Sequence, residues 1–288
     1  MHWTPWIEAV AVALLAAAGA GLGYWFSRLR RPYWVLGYCL PLGLIVIYGI
    51  AARHPALAVE PPLAWMMMGR NKFAVVGLVA AMVLTTPLSR ISGRRARVLI
   101  VILMMVMVAF VSVWPFLAPA FNRSYLAQLK TRLDEDGICR QSNDYNCGPA
   151  AAVTALRRLG FPAEEGELAI LAHTSTATGT PPDILARALQ EKYGTDGLLS
   201  EFRGFQSVDE LPSTDLTLAV VKFSFMLDHY VAILAVNDDQ VVVGDPLSGK
   251  TILSRDEFAR RWRYVGVVLR RAPAAPTTDS APIGNPPR

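Results

Sequence analysis

The sequence predicts an α+β domain, a helical half followed by an antiparallel sheet, set behind a transmembrane α-helical region of about four spans. Two observations carry this. Residues 6–26, 33–52, 73–88 and 98–121 are runs almost free of charge, near the length that spans a bilayer, and the 53% apolar content of the 288-residue chain exceeds that of an ordinary soluble domain. Beyond them helical patterns come first, in residues 150–193, and short β-branched, turn-bounded segments follow, in residues 216–269. The chain divides into a membrane region (1–123), the α+β domain (124–271) and a Pro, Ala, Thr and Ser-rich tail expected to be disordered (272–288).

The first run has no Lys or Arg ahead of it and no small-residue cleavage site after it, which argues against a signal peptide. Residues 98–120 are apolar on every face, unlike a buried helix of a soluble core. Trp3, Trp6, Trp25, Tyr33, Trp34 and Trp114 stand near run ends, as interfacial aromatics do. The third run is short. It is expected to begin earlier, near Pro62, or to tilt less, with Arg70 and Lys72 snorkelling to an interface. Glu8 is the single acid inside a run, expected at headgroup depth. Loop 27–32 holds Arg28, Arg30 and Arg31, and loop 89–97 holds Arg90, Arg94, Arg95 and Arg97, so these loops are expected in the cytoplasm. With four spans of a bacterial cell membrane, both termini and the α+β domain then face the other side. Arg53, Arg70, Lys72, Arg123, Lys130 and Arg132 stand against that sorting.

In the second part, residues 124–136 read as an amphipathic linker helix with Leu126, Leu129 and Leu133 on one side. Pro149 and Gly160 bracket a helix over 150–159, and further helices are expected at 164–172 and 182–193. Strands are expected at 216–223, 229–236, 240–244, 250–253 and 264–269, with a helix over 254–262 opened by a Ser254/Glu257 capping box. The polar loop from Thr174 to Pro181 is either a cleft lining or a plain connection.

Cys147 lies at the mouth of the first of these helices, where unpaired N–H groups and the helix dipole favour thiolate over thiol. Gln141, six residues upstream, carries an amide that can point at the same place. Of the four histidines, His2, His54, His173 and His229, the last opens the buried-strand run Tyr230 to Leu234. A turn at Asn237-Asp238-Asp239 returns the chain to Gly244-Asp245-Pro246, a hairpin that can set Asp245 beside His229. A nucleophile, a base and an orienting carboxylate are the minimum set for an acyl-enzyme route.

The order Gln141, Cys147-Gly148, His229-Tyr230-Val231, Asp245-Pro246 resembles the papain-like cysteine peptidases that process bacteriocin precursors by cutting after double-glycine leaders. The resemblance covers 124–271. It implies a papain-like fold with its cleft between the halves. It also implies Cys147 as nucleophile, His229 as base and then acid, Asp245 as orienter, and Gln141 with the Cys147 N–H as oxyanion donors, without cofactor or metal. Many relatives carry Asp before the nucleophile, where this chain has Asn146. Relatives are often fused to an ATP-driven exporter, so a separate transporter is the partner expected here, beside a peptide or protein substrate and membrane lipid. Two other functions use the same fold: a non-cleaving peptide-binding module, as in relatives lacking the cysteine, and acyl transfer to an amine.

Two rival motifs are weighed against this. Gly244 to Thr251 fits the phosphate-loop pattern G-x-x-x-x-G-K-[ST], but Thr251-Ile252-Leu253 reads extended where that loop must enter a helix. A metal site from Cys139, Cys147 and His229 lacks a C-x-x-C or H-x₃-H pair. Cys139, eight residues before Cys147, is either a small buried residue or the partner in a regulatory disulfide. The formal net charge of +5 does not point to nucleic acid. Residues 1–124 hold eleven basic and two acidic side chains, whereas 125–271 hold sixteen and twenty, with no basic stripe.

Overall fold

The computed structural model describes residues 5–53, 63, 70–213, 215–224 and 227–272. It opens with α1 (Pro5–Ser27), α2 (Leu36–Arg53) and α3 (Asn71–Thr85). A long fourth rod follows, made of α4 (Arg94–Met107), a π-helical turn (Val108–Val113) and α5 (Trp114–Leu126). Among the described residues, four helices are long and apolar enough to cross a membrane. Exposed Leu40, Leu42 and Ile45 on α2 and Leu99, Leu103 and Phe110 on the rod form faces suited to lipid. The π turn sits just ahead of Pro115, which has no N–H for the preceding ladder and occupies the first turn of α5.

Small residues hold α1 against α3. Ala9, Val12, Ala16, Gly19 and Gly23 of α1 are buried, as are Ala74, Gly77 and Ala81 of α3. A Cβ at Gly19 would stand 2.7 Å from the Leu78 carbonyl oxygen. In lipid, such close approach replaces the hydrophobic driving force between helices. At one end of the bundle the two arginine-bearing loops are tied by Ser89, whose N–H donates to Ser27 Oγ at 2.7 Å. The other end corrects the snorkelling expectation. Arg70 is buried, paired with Glu8 and lying 5.3 Å over the Phe116 ring, and buried Lys72 reaches Asp228 at 3.8 Å. Each cation meets a carboxylate, which offsets the cost of its burial. A start near Pro62 falls outside the described residues, and the helix seen there begins at Asn71.

The expected linker helix over 124–136 is also corrected. Helix continues from the fourth rod only to Leu126, and β1 (Arg132–Leu133) then pairs with β2 (Cys139–Arg140). Asp134 Oδ1 accepts the N–H groups of Asp136 and Ile138, and Gly137 takes φ +73, so the polar stretch closes a hairpin instead of extending a helix. The helical half is α6 (Cys147–Arg158), α7 (Glu165–Leu171) and α8 (Pro182–Tyr193). The sheet holds β3 (Leu198–Gly204), β4 (Leu216–Ser224), β5 (Leu227–Val236), β6 (Gln240–Asp245), β7 (Gly249–Ser254) and β8 (Trp262–Arg271), with α9 (Arg255–Arg261) before β8. Strand order is β3-β8-β4-β5-β6-β7, antiparallel throughout. Ser254 caps α9 by accepting from Glu257 N–H at 3.2 Å. The strand β3 was not expected. Its Ser200, Glu201 and Arg203 mask the alternation that marks a strand, and it forms by pairing with β8 at the sheet edge.

Both faces of the sheet are covered, which explains the continuous apolar run at its centre. Along β5, Tyr230 and Ala232 join the core with Leu156 of α6 and Leu189 of α8, while Val231 and Ile233 join Phe258 and Trp262 on the opposite face. The tail expected to be disordered lies outside the described residues from 273 onward. Gly19→Leu is expected to drive a side chain into Leu78 and cost on the order of 1–3 kcal/mol, read as a lower unfolding midpoint in detergent.

Candidate active site

α6 opens on Cys147, which is buried at 6% exposure. Asn146 precedes it, accepting the Ala150 N–H at 3.0 Å, and Gly160 ends the helix segment at φ +81. The thiol therefore lies among first-turn N–H groups that a helix leaves unpaired. Gly148 matters next to it, because a Cβ there would stand 2.9 Å from the Thr180 Cβ. The Thr174–Pro181 loop thus packs onto the turn that carries Cys147. It is fastened by Thr174 Oγ1 to Thr180 Oγ1 at 2.8 Å and by the buried Tyr230 hydroxyl, which donates to the Thr180 carbonyl at 2.9 Å.

His229 and Asp245 meet, with Nε2 2.7 Å from Oδ1. Cys147 is near enough to the imidazole to favour its charged form. Burial pushes the His229 pKa down, but hydrogen bonds and charge from Asp245 and Cys147 outweigh it and raise the value from 6.5 to about 9. Burial likewise pushes Asp245 up. The contact with His229 and donors from Leu247 and Ser248 outweigh that and hold it at about 2. Leu247 N–H gives Oδ1 a hydrogen bond of 2.8 Å and Ser248 Oγ gives Oδ2 another of 2.8 Å.

The turn supplying these donors is the phosphate-loop lookalike. Asp245 pairs with Gly249 and Gly244 with Lys250 across the β6–β7 hairpin, with Gly249 at φ +86. No helix begins at Lys250, and its ammonium reaches Asp136 at 3.4 Å. The segment therefore positions a carboxylate and has no phosphate-loop geometry.

Gln141 comes to the same place through the backbone. Its N–H donates to the Pro246 carbonyl at 3.1 Å, next to Asp245, and its Nε2 donates to the Asn143 carbonyl at 2.7 Å. That carbonyl also accepts from Asn146 N–H at 3.2 Å. Between Gln141 and Asn143, Ser142 is clamped by Glu165, a fully buried acid that accepts from Ser142 N at 2.8 Å and Ser142 Oγ at 2.6 Å. Glu165, Ser248 and Asn143 were not singled out from sequence. The one signal for Ser248 was its place three residues after Asp245 in a turn; Glu165 stands in the first turn of α7, where an acid is ordinary. Asn146 is fully buried, and among the described residues neither of its amide atoms has a hydrogen-bond partner.

Cys139 is the buried small residue of the two expectations. Its N–H donates to Thr154 Oγ1 at 2.9 Å, both it and Cys147 are free thiols, and burial pushes its thiol up to about 12. His173 follows α7 at φ 51, while His2 and His54 lie outside the described residues.

Comparison with known proteins gives the following. The family model described as Peptidase C39 family matches residues 136–275. An uncharacterized protein of Methanothermobacter marburgensis is 32% identical over 143 residues, covering 50% of this chain and 94% of that protein. The pediocin PA-1 transport/processing ATP-binding protein PedD of Pediococcus acidilactici is 27% identical over 149 residues, which are 50% of this chain and 19% of PedD. The peptidase domain of Streptococcus ComA, a bifunctional ABC transporter of a quorum-sensing pathway, aligns at 20% identity and TM-score 0.41, covering 46% of this chain and 96% of that one.

A folded pKa above the free value means that the His229 charge contributes stability fully below about 6.5, and that this contribution is lost as pH rises through about 9. Histidine titration by NMR is expected to show that inflection near 9 in the native protein. In Asp245→Asn it is expected to move down toward 6.5, because the largest favourable partner is gone.

Proposed function

The chain belongs to the Peptidase C39 family, and from that premise we propose that it is a membrane-anchored cysteine peptidase acting through Cys147, His229 and Asp245. The observation that carries the reading is the 2.7 Å His229–Asp245 contact, beside a thiol at a helix N-terminus that favours the charged imidazole. The Cys147 thiolate attacks the scissile carbonyl carbon. The resulting oxyanion takes hydrogen bonds from the Cys147 N–H and from the Gln141 Nε2 hydrogen not used by Asn143, donors that are worth about 3 kcal/mol each in related chemistry. The His229 imidazolium gives its proton to the leaving amine as the C–N bond breaks. Neutral His229 then takes a proton from water, whose oxygen attacks the thioester and releases the acid and the thiolate.

A processing role on a peptide leader, as the name of PedD suggests for that protein, is the substrate class we favour, with an exporter as partner. The matched stretch is 19% of PedD, so its transport activity is not carried over. The assembled contact at His229 favours cleavage over a non-cleaving module. We also propose that the catalytic domain faces away from the cytoplasm, since the seven arginines of loops 27–32 and 89–97 lie at the bundle end remote from it.

Cys147→Ala is expected to abolish both peptide turnover and labelling by a thiol-directed peptide electrophile, with circular dichroism unchanged. Lys250→Ala is expected to keep activity near wild type. Residual turnover equal in wild type and Cys147→Ala rejects the mechanism. A reporter fused after Arg271 is expected to be active only in its exported form; a cytoplasmic signal inverts the topology.

A further inference from the structure

The last turn of the membrane rod ends against the loop that carries Gln141 and Cys147. Tyr125, in that turn of α5, donates its hydroxyl hydrogen to Asn143 Oδ1 at 3.2 Å. Asn143 is the residue whose carbonyl holds the Gln141 amide at 2.7 Å and the Asn146 N–H at 3.2 Å. Among the described residues Gln141 Oε1 is buried without a partner, so the donation to Asn143 is what orients this amide. The same rod reaches the neighbouring walls. Asn122 Nδ2 donates to Thr176 Oγ1 at 3.0 Å in the loop over Gly148, and a Cβ at Gly166, beside Glu165, would collide with the Leu126 carbonyl oxygen.

We propose that Tyr125 is a positioning residue: from a membrane helix, through Asn143, it sets the Gln141 amide that meets the oxyanion. This rests on the assignment of Cys147 as nucleophile and Gln141 as oxyanion donor. The membrane region is then a part of the acyl-transfer site and not only its tether, and the packing of the rod tunes turnover. A hydroxyl three hydrogen bonds away from the substrate acts on the transition state and not on ground-state binding.

The test uses the full chain in lipid nanodiscs with two probes, an N-acyl-Gly-Gly aminocoumarin amide and iodoacetamide. Amide cleavage passes through an oxyanion; alkylation of Cys147 does not. Tyr125→Phe is expected to lower kcat roughly three- to tenfold with KM unchanged, the loss of about one hydrogen bond. Its iodoacetamide rate at Cys147 is expected to stay at wild type. Asn143→Ala is expected to lower kcat by a similar factor, and the double variant by no more than Asn143→Ala alone, since the two act in one chain. Wild-type kcat in Tyr125→Phe, additive losses in the double variant, or an equal fall in cleavage and alkylation, as general loosening would give, each overturns the proposal. Failure of the underlying assignment is distinct: cleavage by the unmutated chain would then persist in Cys147→Ala, and both ideas would fall.

Discussion

A buried imidazole beside a thiol keeps its second proton more readily where a carboxylate meets its far nitrogen. The contact between His229 Nε2 and Asp245 Oδ1 is that meeting, and much of the domain can be read as the means of holding it. His229 lies in β5 and Asp245 ends β6, so their approach follows from one hairpin register, which pairs Ala232 with Gly244 and Ile233 with Val243. The turn at Asn237 fixes that register, since its Oδ1 accepts the N–H groups of Asp239 and Gln240. The next hairpin, β6–β7, turns Leu247 and Ser248 back onto the carboxylate. A shift of β5 against β6 by one residue would move the two side chains to opposite faces. The apolar layers on both sides of β5 oppose such a slip.

How legible was this in the chain? The helix that opens at Cys147, the strand at His229 and the return to Asp245 were readable because local chemistry and burial agree there. Pro149 and Gly160 bracket α6, Asn237 marks a turn, and an unbroken apolar run fits a strand covered on both faces. The residues that hold the site were less readable, because their partners are remote in sequence. Glu165 serves Ser142 twenty-three residues away, and Tyr125 serves Asn143 eighteen away. The 124–136 segment misled for a related reason. Its leucines sit at helical spacing, but Asp134 closes a turn with Gly137 and gives Leu133 to a strand. The Gly244 to Thr251 match shows that a residue pattern alone does not define a phosphate loop. The same glycine and Lys-Thr spacing serves a hairpin when β7 follows in place of a helix.

The apolar helices and the α+β domain meet through polar contacts, which are directional. Lys72 reaches Asp228, the neighbour of His229, and Arg263 Nε holds the other oxygen of that carboxylate at 2.9 Å. Tyr125 and Asn122 reach the loops on the nucleophile side. The His229 side and the Cys147 side of the site are thus joined to α3 and to the fourth rod, which themselves meet where Gly77 accommodates Ser112 of the π turn and Phe116 of α5 lies under Arg70. Small residues at that junction let the rods approach closely, so the spacing of the two joints is set inside the membrane region.

These joints also bear on the charges that seemed to oppose the proposed orientation. Arg70 and Lys72 lie at the same end of the bundle as the α+β domain, but both are buried and each meets a carboxylate, Glu8 and Asp228. The arginines at positions 28, 30, 31, 90, 94, 95 and 97 are exposed at the opposite end. The asymmetry of unpaired surface charge is therefore steeper than a count along the sequence suggests. An acid at position 8 of the first span, costly in lipid by itself, has its explanation in Arg70. The same pair removes a charge from the lipid boundary and fastens the start of α1 to the start of α3.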